Sequence, residues 1–231
     1  MSLNALLNTH TTDSDSLPQG ELTQTLAQYF QIYGIKAPPV ELTTAFSLHG
    51  SESDVLWIES FYQETDVYIS EMMNWTPEGV LRWQKVAGGD PEAPHIVEHY
   101  IRNIQADPRH VMKGYSIAHM QQVARYPGKY LCVIDLPAGT TLSETMRQIV
   151  HSGLMRNNTV YREFMKLQRQ RDTQMLMNLP QALGNLILEH PEISKKETLK
   201  VLLKFGSNHA RLYDPLKKRG EQVRRFFKED E

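Results

Sequence analysis

The sequence predicts an α+β fold that is predominantly helical, with a small sheet in the N-terminal region and an all-helical C-terminal region. Three observations carry this expectation. Apolar residues recur at three- and four-residue spacing through most of the 231 residues. Residues 129–135 (KYLCVID) have the aromatic and β-branched character of a strand between Pro-Gly and Pro-Ala-Gly turns. Beyond Gly139, helix-capping signals follow one another without a strand signal between them.

Residues 1–20 are rich in Ser, Thr, Asn and Asp and read as a flexible tail. From 21 to 33, Leu22, Leu26, Tyr29, Phe30 and Tyr33 form one helical face that ends at Gly34. Residues 40–48 read as a short helix closed by Gly50, and Ser51 to Ser53 as the cap of another carrying Val55, Leu56, Ile58, Phe61 and Tyr62. The stretch VYISEMM (67–73) fits strand or helix, and one strand needs partners, so it is the natural mate for 129–135. Thr76-Pro77-Glu78 is a strong helix start, because Pro at the first helical position sacrifices no hydrogen bond. That helix ends at Gly88-Gly89, and others follow over 91–107 and 116–126.

In the second half, Thr141-Leu-Ser-Glu144 and Ser194-Lys-Lys-Glu197 read as capping boxes. The expected helices run over 141–153, 158–178, from Pro180 to His190, over 195–205, and from Asp214-Pro215 onward. The resulting organisation is a tail (1–20), an acidic helical region with the sheet (21–138) and a basic helical region (139–231), the last two being either separate domains or one continuous domain. Phe164, Met165, Leu167, Met175, Leu176 and Leu179 follow helical spacing and are expected in the core.

Composition bounds the function. An apolar fraction of 40% and a charged fraction of 23% suit a globular protein. No run approaches the ~18 apolar residues of a membrane span, so no membrane insertion is expected. The N-terminus lacks a secretory or transit signal, and a single cysteine, Cys132, excludes an internal disulfide; both point to the cytoplasm. The net charge of −2 conceals a division. Residues 1–149 hold nine Lys/Arg and seventeen Asp/Glu, a balance of −8; residues 150–231 hold sixteen and ten, a balance of +6. Such polarity suggests a basic surface with an anionic partner, or a face that docks on the acidic half or on another copy; the alternative is a well-solvated helical surface.

One motif has a named chemistry. His95-Ile-Val-Glu-His99 reads H-x-x-E-H, in which two histidines four apart can ligate zinc and the glutamate can polarise a metal-bound water. These five residues resemble the signature of the pitrilysin-type peptidases, and the resemblance implies ligands at His95 and His99 and a base at Glu98. On a helix, however, Ile96, Val97, Tyr100, Ile101 and Ile104 make the apolar stripe, and His95, Glu98, His99 and Arg102 fall opposite it. Glu98 and Arg102 are spaced for a surface ion pair. The metal reading therefore needs a covering element that brings a third ligand, and no metal or other cofactor is expected.

The remaining signals are weaker. Cys132 sits between Leu131 and Val133 and reads as a small buried hydrophobe. There is no P-loop, G-x-G-x-x-G or G-x-S-x-G. Helix 195–205, a turn at 206–208 and the segment after it outline a helix-turn-helix, with Lys217, Lys218, Arg219, Arg224 and Arg225 available for phosphates, although Pro215 would interrupt the second helix. With no complete catalytic set in local spacing, the leading expectation is a non-catalytic adaptor or regulatory subunit acting through a protein partner in a larger assembly. The alternatives are a nucleic-acid-binding regulator that uses the basic C-terminal residues, and a metal-dependent hydrolase at the H-x-x-E-H motif.

Overall fold

The computed structural model describes residues 21–47, 51–72, 75–108, 110, 112–218 and 222–227. The expected tail (1–20) and Arg219 lie outside them. The described chain runs α1 (Glu21–Gln31), β1 (Val40–Ser47), α2 (Glu52–Leu56), α3 (Glu59–Gln63), β2 (Val67–Ser70), α4 (Pro77–Gly88), α5 (Ala93–Ala106), α6 (Lys113–Arg125), β3 (Tyr130–Cys132), α7 (Thr141–His151), α8 (Asn158–Glu189), β4 (Leu199–Gly206), α9 (Tyr213–Lys218) and β5 (Gln222–Phe227).

The strands form one five-stranded sheet in the order β3-β2-β4-β1-β5, and every pair is parallel. This corrects the expected fold class. The architecture is α/β, and its sheet draws on both ends of the chain: two strands, β4 and β5, come from the region expected to be all-helical. The reason is legible in LKVLLKFG. A strand buried between two neighbours and two helical layers has no polar face, so Val201, Leu202 and Leu203 run consecutively and the period-two signal is lost. Lys200 and Lys204, four apart, imitate the polar face of a helix. The Ser194–Glu197 box forms no α-helix; a 3-10 turn, Pro191–Lys195, leads into β4 instead. Residues 40–47 are likewise strand, flanked by β4 and β5 and almost wholly buried. The expected helix-turn-helix does not exist, because its first helix is β4, and its basic residues are divided, with Lys217 and Lys218 on α9 and Arg224 and Arg225 on edge strand β5.

Other elements match the sequence reading. Thr76 caps α4 by accepting from the Gly79 amide at 3.1 Å, with Pro77 at the first position. Gly89 ends it at φ +80°, and a Cβ there would lie 2.9 Å from Pro127. The cap of α7 is Thr140, one residue before the expected box. Pro180 does not divide α8, which continues through it for 32 residues, about 48 Å at 1.5 Å per residue. Burial of Leu179, Pro180, Leu183 and Ile187 against the sheet holds that helix together. Met175, Leu176 and Leu179 are core, whereas Phe164, Met165 and Leu167 are only half-buried.

Parallel strands are joined by crossovers, which are right-handed in nearly all proteins. From β1 the chain passes to β2 and β3 in one direction, and then returns through β4 to β5 in the other. Connections of opposite direction lie on opposite faces. Accordingly one apolar layer joins the sheet to α3, α4 and α6 through Ile58, Tyr62, Val86 and Met120. The other joins it to α1, α8 and α9 through Leu26, Phe30, Leu183 and Leu216.

Candidate active site at the carboxyl edge of the sheet

Because β2 and β4 are neighbours whose chains leave toward opposite faces, their carboxyl ends form a topological switch point. In open α/β sheets this is where ligands bind. Here Glu71 follows β2 directly, Asp135 follows β3, and His209 follows β4. The long helix α8 sends Gln168, Arg171 and Asp172 to the same place.

Arg171 is the hub. Its side chain is 3% exposed, it donates from Nε to Asp135 Oδ1 at 2.8 Å and from Nη2 to Oδ2 at 2.5 Å, and its Nη1 lies 2.9 Å from Glu71 Oε1. Asp135 also accepts from the Leu136 and Met72 amides, at 2.7 and 3.0 Å, so both its oxygens are saturated. Glu71, 22% exposed, is the carboxylate of the cluster that reaches solvent, and it accepts from the Gly206 amide at 3.1 Å.

His209 lies between two carboxylates, with Nδ1 2.6 Å from Asp172 Oδ1 and Nε2 3.1 Å from Glu71 Oε1. Only an imidazolium can donate from both nitrogens. Burial opposes that charge, but the bonds to Asp172 and Glu71 outweigh it and hold His209 up at about 9. Arg211 donates from Nε to Asp172 Oδ2, and its buried Nη2 has no hydrogen-bond partner among the described residues. Three acids thus face three cations.

Across the sheet, Lys204 of β4 points into the layer beneath α2 and α6. It is fully buried, its Nζ donates to the Tyr115 hydroxyl, and it sits 4.3 Å from the centre of that ring. Burial lowers its pKa to about 7, and the fields of Glu71 and Asp54 offset only part of that cost. Beside it, the Tyr68 hydroxyl lies 2.5 Å from His119 Nε2. Glu71 ties the two sides together, since its amide donates to the Lys204 carbonyl at 3.2 Å.

The residues singled out from sequence lie elsewhere. His95, Glu98 and His99 are exposed on α5, and Arg102 donates to Glu98 at 2.6 Å. Among the described residues no group of three metal-ligating side chains is found. Lys217 and Lys218 are exposed at the end of α9, Arg224 pairs with Glu41 at 2.8 Å, and Arg225 stacks over Tyr213 at 4.3 Å, where Lys217 also points at 5.9 Å. Tyr213 therefore gathers Lys217 and Arg225, two of the five predicted basic residues.

Cys132 is buried, and burial pushes its thiol up to about 12. It lines a cavity of about 160 Å³ along the outer edge of β3, with Trp75, Gln84, Leu131 and Glu189. That cavity contains one carboxylate and an inert thiol, so it offers no acid–base set. The buried set of acids and cations lies instead at the carboxyl edge.

Sequence reasoning missed Glu71, Asp135, Arg171, Asp172, Lys204 and His209. The available signal was a charged residue at the end of an apolar strand run: VYIS-Glu71, YLCVI-Asp135 and VLL-Lys204. No family model matches the chain, and no curated protein or solved structure is significantly similar to it. No helix described is long and apolar enough to cross a membrane.

Proposed function

We propose that the protein is an enzyme acting by proton transfer on a small polar substrate, with its active centre between the carboxyl ends of β2 and β4. The observation that carries this reading is the convergence of Glu71, Arg171, Asp172 and His209 at the point where the crossovers diverge, with Lys204 buried across the sheet in the field of Glu71. Ionisable groups drawn from separate elements and held in mutual hydrogen bonds are costly to bury, and such clusters concentrate at active sites.

Each group has a role that fits its state. Lys204, poised near neutrality, takes up a proton as a free amine. Glu71 meets the substrate at the switch point. Arg171 and the His209 imidazolium stabilise negative charge that develops beside Glu71. Asp135 and Asp172 are positioning residues, orienting Arg171 and His209. The sequence offered no catalytic set because these groups stand far apart in the chain.

The test is turnover of a panel of esters, amides, lactones, phosphoesters and carbonyl compounds by wild type, Glu71→Gln and Lys204→Met. Activity that falls at least ~100-fold in both variants while their circular dichroism is unchanged supports the reading. Activity that survives both substitutions, or a panel left untouched, overturns it.

A second reading, a subunit that works by protein contact, is favoured by the exposed apolar side chains Val150 and Leu154 and by Tyr161 at the start of α8. If it holds, co-purification at native levels followed by mass spectrometry gives a reproducible partner set that Leu154→Asp depletes. An identical set from both proteins contradicts it.

A further inference from the structure

We propose that the cavity beside β3 binds a small organic cation, a primary ammonium carried on an apolar body the size of a single ring. This site is separate from the charged cluster at the carboxyl edge and does not depend on it. β3 is the outermost strand on its side of the sheet. The Tyr130 amide points inward, donating to the Asp66 carbonyl at 2.9 Å, so the backbone of the next residue, Leu131, faces outward. Gln84 of α4 donates from Nε2 to that Leu131 carbonyl at 3.3 Å. With three residues in β3 and its outward carbonyl taken, this edge is blunted against a further strand.

What the edge leaves is a space for a small molecule. α4 and α8, which belong to opposite layers, supply the walls of a cavity of about 160 Å³. A dry cavity of about 150 Å³ is enough to take up benzene. Trp75, Val80, Leu131 and Leu186 make the lining apolar. The Trp75 ring is held in place, since its Nε1 donates to the Asp135 carbonyl at 2.7 Å, and the face of an indole attracts cations.

The polar part of the lining selects the charge. Asn185 and Glu189 stand four apart on α8, so they share one face of it, and both are exposed where the cavity opens to solvent. Neither side chain has a hydrogen-bond or ion-pair partner among the described residues. Gln84, with Nε2 committed to Leu131, still presents Oε1. The lining therefore offers one carboxylate and two amide oxygens, and an ammonium brings three N–H donors and no acceptor. No Lys or Arg lines the cavity to neutralise Glu189. A neutral ligand would leave that carboxylate unpaired, and an anion would be repelled by it.

The experiment is a backbone-amide NMR titration of the full chain with benzylamine, which is charged at neutral pH, with benzyl alcohol as its neutral counterpart and benzoate as the anion. Benzylamine is expected to give saturable shift changes centred on Leu131, Val133 and Asn185, and to bind at least ~10-fold more tightly than benzyl alcohol, with benzoate weakest. Glu189→Gln, an exchange at an exposed position, should bring benzylamine down to the affinity of the alcohol. Ala182→Leu, which fills the cavity, should remove the binding of both. Equal affinity for amine and alcohol, benzylamine binding unchanged in Glu189→Gln, or the lack of any saturable shift at those residues overturns the proposal.

Discussion

Replacing Lys204 by Met removes a buried titrating amine and keeps nearly the same volume. Unfolded, this lysine has its ordinary pKa of about 10.4, and folded it is lowered to about 7. Between those values the unfolded chain binds one more proton, so wild-type stability rises with pH. The slope approaches about 1.4 kcal/mol per pH unit. Allowing for the half-titrated folded state at pH 7, the gain from pH 7 to pH 9 is about 2 kcal/mol. The variant lacks this term. Urea denaturation of both proteins at half-unit steps should give a wild-type minus variant difference that climbs by that amount, and His209 and other titrating groups cancel in the subtraction. Parallel curves from pH 7 to pH 9 would refute the claim that Lys204 is buried and uncharged above neutrality.

Asp135→Ala takes two charge-assisted hydrogen bonds from the buried Arg171 guanidinium, leaving it Glu71 alone as an ionic partner, and should lower unfolding stability by about 3 kcal/mol in the same assay. His209 has a folded pKa raised to about 9, above its unfolded value, so its contribution is complete below about 6.5 and lost as pH rises through 9. A His209→Asn variant should therefore lie furthest below wild type at pH 6 and approach it by pH 10. Cys132 should resist a thiol-reactive disulfide reagent in the native protein and react fully in denaturant, because burial holds its thiol protonated. His95→Ala should change stability by less than about 0.5 kcal/mol, with no metal lost by elemental analysis, since His95 is exposed on α5.

Local signals in this chain were legible where local physics decides. Thr76-Pro77, Gly88-Gly89 and the apolar stripe of α5 each determine a helix without reference to the rest of the fold. The polar character of His95, Glu98 and His99 followed from the same stripe. What was not legible depends on neighbours distant in sequence. Residues 40–47 and 199–206 read as helix because a strand covered on both faces carries no alternation, and only pairing of β1 with β4 fixes them as sheet. The charged cluster at the carboxyl edge is hidden for the same reason. Arg171 looks like one more cation on a helix until α8 is laid across the end of β3, where it meets Asp135. Lys204 looks like a solvated lysine until β4 becomes the middle strand.

The central claim is that the switch point between the ends of β2 and β4 is a ligand site. Backbone-amide NMR of the full chain titrated with a library of small polar and carbonyl fragments tests it most directly. The account predicts hits whose shift changes centre on Glu71, Gly206 and His209 and vanish in Glu71→Gln. Shift changes confined to the cavity beside β3 or to the start of α8, and unaltered by Glu71→Gln, would contradict it.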